Sequence, residues 1–399
     1  MVALPLPQGC THQKLAAAIH VAQHEETETK RFSLQVPRGA FIHSSALALL
    51  AAWGLRQRDR GVTFRAVGDK DTLRYLARMD LFEHLEIPFK ETFRRHPETG
   101  RFIALKLVQG DGSGVKEAVD AICELILRQF DNAREFLPAV EWAANEVTDN
   151  IRIHAAAKTP GVVCAQYYPQ KARIDIGICD MGRGIKESLS TRFDLWSHGD
   201  AVTKALKAGV TRDPDVGQGN GLAGSLEIIQ ANKGEFHLWT GDVDYACDRG
   251  KEKGFTKLPE IGATGVMLRF RTANPVDLFR TTIVGERDWT YLDEQAERVS
   301  EAGGIDIAAE CEHTRGRLPA KALRRRVEAL LESMEEPLVL DFQGVRTPSS
   351  SFLDELVARL VVKLGRARAK ELLQLTNMSD LVRGMTSKVV EQRLGDEDL

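Results

Sequence analysis

Glu146, Asn150 and His154 stand four residues apart, so on a helix they share one face. A carboxylate at Glu146 can orient or deprotonate a water. The carboxamide of Asn150 offers a hard oxygen of the kind Mg²⁺ accepts beside water and phosphate oxygens. Asp180 closes the apolar run Ile174–Cys179 and is followed by Gly182 and Gly184. A carboxylate there can accept a hydrogen bond from an adenine amino group, and the glycines let the backbone approach the base and turn sharply. Gly217, Gly219 and Gly221 directly precede a helix-like run. Such a loop presents backbone N–H groups and the positive end of a helix dipole to phosphates. Each pattern has a plain alternative: a polar helix stripe, a turn after a strand, a flexible loop. In this order the three read as a site for an adenine nucleotide. The chain has no G-x-x-x-x-G-K-[ST] sequence, so the phosphates must be held without a P-loop.

The elements that carry these residues follow from periodicity. Two helices are expected near 115–131 and 135–157, the second bearing Glu146, Asn150 and His154. Val162–Tyr168 and Arg173–Cys179 read as a hairpin turning at Pro169, Gln170 and Lys171. Lys186 to Asn220 is polar and Gly-containing, Gly221–Ala231 reads as a helix, and Glu235–Thr240 and Gly265–Arg271 as strands. Helices first and hairpins later predict a mixed sheet with helices on one face. Before this segment, Phe32–Val36, Ala40–Trp53, Val62–Val67 and Asp71–Glu86 alternate strand and helix, a small α/β unit. After it, Leu318–Ser333, Leu338–Phe342, Phe352–Leu364, Leu372–Leu375 and a helix from Ser379 repeat that pattern. The expected organisation is an N-terminal extension 1–29, an α/β unit 30–108, a central domain 115–275, a linker helix 276–303 and a second α/β unit 304–399.

At 399 residues the chain has room for two or three domains. A net charge of −3 gives no global attraction for nucleic acid or a membrane surface. No apolar run approaches the roughly 20 residues that span a bilayer, and Met1–Gln13 has no signal-like apolar core, so a cytoplasmic protein is expected. Six cysteines show neither C-x-x-C pairing nor zinc spacing. Those at 123, 164 and 179 lie in apolar runs and read as small buried hydrophobes.

The three motifs, with Gly262-Ala263-Thr264-Gly265 before a strand, resemble the N, G1, G2 and late G-[GA]-T elements of the GHKL ATPase superfamily over about 115–275. The resemblance implies a Bergerat α/β sandwich that binds ATP and Mg²⁺. It makes Glu146 the catalytic base and Asn150 the Mg²⁺ ligand. Asp180 and Thr264 would read adenine, with Gly182, Gly184 and Ile185 beside the base. Gly217, Gly219, Gly221 and Leu222 would close on the phosphates. Residues 186–216 become a lid, with Lys204, Lys207 and Arg212 as candidate phosphate contacts. His154, in the same stripe, reads as a packed or capping residue. No helix pair with a phosphoacceptor histidine precedes the first motif, which disfavours a sensor kinase.

Asp341-Phe342-Gln343-Gly344-Val345, followed by Ser349-Ser350-Ser351-Phe352-Leu353-Asp354-Glu355-Leu356, resembles the STAS-like domains of anti-sigma-factor antagonists. Ser350 falls where that family has a phosphorylatable serine, although the usual D-S-S-G-L is altered here. Phe41-Ile42-His43-Ser44-Ser45 is a fainter echo that puts Ser44 at the same place. A serine opening a helix can carry a phosphate on free N–H groups or simply cap the helix. The resulting expectation is an ATP-hydrolysing switch acting on its STAS-like domains, on a protein partner or on a second copy of the chain. The alternatives are a serine kinase acting on Ser350 or Ser44, and a binding-only interaction module.

Overall fold

The computed structural model describes residues 1–25, 31–91, 101–130, 133–151, 158–211, 219–283, 304–311, 314–333 and 337–397. His154, Arg212, Gly217 and most of the expected linker helix lie outside the described residues. The protein is mixed α/β, and no described helix is long and apolar enough to cross a membrane.

The centre is a seven-stranded sheet. Its strands are β6 (Phe102–Val108), β7 (Gly161–Tyr168), β8 (Arg173–Asp180), β9 (Glu235–Thr240), β10 (Val243–Asp248), β11 (Lys251–Lys257) and β12 (Thr264–Arg271), in the order β11-β10-β9-β12-β8-β7-β6. Every pairing is antiparallel, which corrects the expected mixed sheet. Three of the six pairings, β7–β8, β9–β10 and β10–β11, join consecutive strands by short connections, which only antiparallel neighbours allow. The helices α5 (Val115–Gln129), α6 (Ala133–Asn150) and α9 (Gly221–Asn232) share one core with Ile174, Ile176 and Ile178 of β8 and Val266, Leu268 and Phe270 of β12. The alternate residues Cys164, Cys179, Trp239 and Met267 belong to a second core on the other face. With both faces covered, β7, β8 and β12 read as nearly unbroken apolar runs instead of alternating ones.

The cover on that second face is the N-terminal unit. Its strands β1 (Val2–Pro5), β3 (Arg31–Val36) and β5 (Thr63–Gly68) form a parallel sheet in the order β1-β3-β5. The short strands β2 (Gly9–Cys10) and β4 (Phe41–Ile42) pair beside it. The helices are α1 (His12–Glu25), α2 (Ser44–Asp59), α3 (Lys70–Arg78) and α4 (Leu81–His84). Residues 44 to 54 of α2 are all buried. The helix has no polar face there because it lies between its own sheet and β7, β8 and β12.

Two boundaries move. Val2–Pro5 pairs in register with β3, so residues 1–25 are part of the N-terminal unit and not an extension. Strand β6 pairs with β7 at the edge of the central sheet, so the N-terminal unit ends before residue 101. The expected helix 71–86 is two helices, broken at Asp80 with φ 60°.

The C-terminal unit is a parallel sheet in the order β13 (Gly304–Asp306), β14 (Leu338–Asp341) and β15 (Leu373–Thr376). Helices Arg317–Ser333 and Asp380–Glu397 pack on it, together with a helix that opens at Ser350 and runs through a π-helical turn, Asp354–Ala358, to Leu364. The buried Asp354 and Glu355 in that turn are held by Arg317, Arg324, Arg359 and Arg393. Ions so enclosed need such partners, because an unpaired buried charge is strongly unfavourable.

Candidate functional site

A cleft opens between α6, the ends of β8, β9 and β12, and the N-terminus of α9. It is lined by Asn150, Asp180, Gly184, Ile185, Gly219, Gly221, Leu222 and Thr264, with apolar walls from Val147, Ile151, Ile178, Leu238 and Val266. Sheet register assembles its floor. Thr264 is the cross-strand partner of Asp180 on one side and of Thr240 on the other. The hydroxyls of Thr240 and Thr264 lie 3.0 Å apart, and Ile185 N–H donates to Thr240 Oγ1 at 3.3 Å. Thr240 was not among the expected site residues. Its signal was its position, last in the strand Glu235–Thr240.

Asp180 is buried, and its Oδ1 accepts one hydrogen bond, 2.8 Å, from Gly182 N–H. Burial pushes its carboxyl up to about 7, against the opposing pull of that bond. Such a group gains from a ligand that supplies a donor. Gly184 sits at φ 80°, and a Cβ there would lie 3.1 Å from Thr240 Oγ1. Both the left-handed backbone and the close approach to the threonines call for glycine.

Glu146 and Asn150 come from successive turns of α6. A Cβ on Gly221 would lie 2.9 Å from Glu146 Oε2 and 3.8 Å from Asn150 Nδ2. The missing side chain therefore lets the N-terminus of α9 stand against both groups. This cradle fits a phosphate chain, with N–H groups on one side and the Asn150 carboxamide on the other. A Mg²⁺ bound there would have Asn150 as a protein ligand, and it would supply charge neutralisation to the phosphates.

Glu146 is raised to about 7, first by burial and second by the nearby Asp149 charge; hydrogen bonds from Ser350 and the Arg317 charge oppose this. Ser350 N–H donates to Glu146 Oε1 at 3.1 Å. The C-terminal unit thus reaches the candidate catalytic carboxylate directly. Ser349, not Ser350, caps the helix: its Oγ accepts from Phe352 N–H at 3.1 Å. Three further contacts run along the same seam. Arg315 bridges Asp120 at 2.6 Å and Glu141 at 2.8 Å, Thr347 donates to Glu141, and Asn220 Nδ2 donates to Gln392 Oε1 at 3.2 Å. Glu141, buried on α6, is a seam residue that the motif reading did not single out.

Other candidates are placed elsewhere. Ser44 is the buried first residue of α2, its hydroxyl donating to the Asp175 carbonyl at 3.3 Å, on the sheet face opposite the cleft. Lys204 lies 4.4 Å over the Phe193 ring and Lys207 is exposed; neither lines the cleft. The expected lid contains helix α8 (His198–Ala205), opened by a Ser197–Asp200 capping box, and Ala205, Val210 and Thr211 close one side of the cleft. All six cysteines are buried and free.

Residues 319–383 match the family model of the STAS-like domain of unknown function (DUF4325). No curated protein matches the chain. The protein is therefore a mixed α/β chain whose C-terminal unit contains a STAS-like domain. Ser350 lies inside the matched segment, at the point where that domain meets Glu146.

Proposed function

We propose that the central domain is an ATP-dependent switch of the GHKL type, with the STAS-like domain as its output. The observation that supports it is the convergence of Asp180, Thr264, Asn150 and the α9 N-terminus on one cleft. Asp180 and Thr264 would take the adenine edge, and the α9 N–H groups with Asn150 and Mg²⁺ the phosphates. Glu146 would orient the attacking water and accept its proton. Hydrolysis then changes how firmly the C-terminal unit holds the cleft. The test is equilibrium nucleotide binding alongside turnover. Asp180→Asn turns an acceptor into a donor facing the adenine amino group and is expected to abolish binding. Glu146→Gln is expected to keep ATP while turnover falls by about 10²–10⁴-fold. Normal turnover in that variant would sink the assignment of the base.

A second reading rests on one contact, that of Ser350 with Glu146. In a serine kinase acting within the chain, Ser350 Oγ would attack the γ-phosphorus as its proton passes to Glu146. The new O–P bond replaces the β,γ-bridging O–P bond, and ADP leaves. Intact mass after incubation with Mg²⁺-ATP separates the two readings. A gain of one phosphate, lost in Ser350→Ala, selects the kinase; ADP without a mass change selects the ATPase.

A further inference from the structure

Among the described residues, one group of His and Asp side chains converges outside the cleft. His12 opens α1, His237 lies in β9 and Asp244 in β10. His12 and Asp244 are buried and His237 nearly so. His12 Nε2 is 3.1 Å and His237 Nδ1 3.0 Å from the same oxygen, Asp244 Oδ2, and all three atoms lie within 4.8 Å of one another.

The far nitrogen of each ring is already engaged. His237 Nε2 is 3.1 Å from Glu235 Oε1, a carboxylate that is also paired with Arg269. His12 Nδ1 is 3.2 Å from Ser45 Oγ. Rings that ligate metals are commonly oriented in this way, by a carboxylate or other polar partner on the distal nitrogen. His237 stands between two carboxylates, so a neutral ring would leave one nitrogen lone pair facing negative charge. A proton or a metal ion on Nδ1 relieves this. His12 Nε2 is buried and 3.1 Å from the carboxylate oxygen that His237 also approaches. Two rings and a carboxylate converging on one point suit a shared cation as well as a proton. Gln13 also reaches Asp244 Oδ2, at 2.7 Å.

We propose that His12, His237 and Asp244 bind a divalent d-block cation, zinc in the first instance, which fastens the N-terminal unit to the back of the central sheet. Two imidazole nitrogens and a carboxylate oxygen suit zinc, with bonds of about 2.0–2.2 Å. Two of the three ligand separations, 3.1 and 3.0 Å, fall a few tenths of an ångström inside the about 3.3 Å edge of such a tetrahedron. The third is within 4.8 Å. Gln13 is placed to supply a fourth ligand after a turn of its amide. The site lies on the sheet face away from the cleft and shares no residue with its lining.

The test is the metal content of the untagged full chain by elemental mass spectrometry, followed by removal with a chelator and titration with Zn²⁺ and Co²⁺. One zinc per chain, restored stoichiometrically after stripping, is expected. The Co²⁺ form should show the visible absorption of a four-coordinate ion. His237→Gln and His12→Gln are each expected to lose that uptake. If the first fails to fold, the second carries the comparison. Failure of stripped wild-type protein to take up Zn²⁺ or Co²⁺ at micromolar concentration would overturn the proposal, leaving His237 as a buried proton-bearing bridge. Undiminished uptake by a folded His12→Gln chain would overturn it equally.

Discussion

The two flanking units are built alike, each a three-stranded parallel sheet with helices, yet they join the central domain differently. The N-terminal unit lays the buried stretch of α2, residues 44 to 54, along β7, β8 and β12. The fit is close enough that a Cβ on Gly177 would come within 2.3 Å of the Ser44 carbonyl oxygen. The C-terminal unit shares a continuous apolar core with the helices of the central domain, and adds along that junction a line of polar contacts from Arg315, Thr347, Gln392 and Ser350 N–H. Apolar burial is insensitive to small charge changes, whereas ion pairs weaken with salt and with altered charge nearby. Both junctions bury apolar surface, and the second adds a row of ion pairs and hydrogen bonds at the candidate base that salt and charge can loosen.

Several perturbations separate them. Gly177→Leu should break the N-terminal seat, with a loss of about 3 kcal/mol from overpacking, measured by urea unfolding. Arg315→Ala leaves Glu141 and Asp120 without their cation and should lower stability by about 2 kcal/mol. Its hydrogen-exchange signature should be faster exchange in Arg317–Ser333, with α2 unchanged. Equal acceleration in both would erase the contrast. About 0.5 M salt shortens electrostatic reach to a few ångströms, and should speed exchange at the C-terminal seam only.

A pH series sharpens the comparison further. Glu146 and Asp180, both raised to about 7, favour the folded state in their protonated forms. Their stabilising contribution is complete below about pH 4 and is lost as pH rises through about 7. Melting temperature of the nucleotide-free chain should fall across that window, and less so in Glu146→Gln. Turnover should rise over the same range as Glu146 ionises. The smallest expected effect comes from Ser350→Pro. This is the first helical position, where proline is tolerated, and the extended Ser349 before it suits a following proline. The change deletes the N–H that holds the Glu146 pKa down, so the pH–rate curve should move to higher pH. An unmoved curve would mean that Ser350 does not touch the base in solution.

Much of the cleft was readable because its parts are local. Asn150 lies on the helix face it shares with Glu146, Asp180 ends β8 and Thr264 opens β12 opposite it, so short motifs carry them. Thr240 escaped because only the register of β9 against β12 gives it a role. Strand β11 escaped for another reason. β11 is a lysine-bearing edge strand with almost every residue exposed, so it shows no apolar alternation. The His12, His237 and Asp244 cluster spans more than 200 residues of chain, and no local spacing could announce it. The seam residue Glu141 looked like any helix-surface acid until Arg315, far along the chain, was placed opposite it. The C-terminal unit was readable from its serine-bearing segment, which the matched family model includes.

The position of β6 bears on how the protein can be cut. A fragment beginning at 115 would keep every nucleotide motif but discard Phe102–Val108, the outer neighbour of β7. The N–H and C=O groups of β7, an apolar strand of eight residues, would then be open to a strand from another molecule. Such a fragment should self-associate during expression, whereas one that starts before residue 101 keeps the sheet's own border strand.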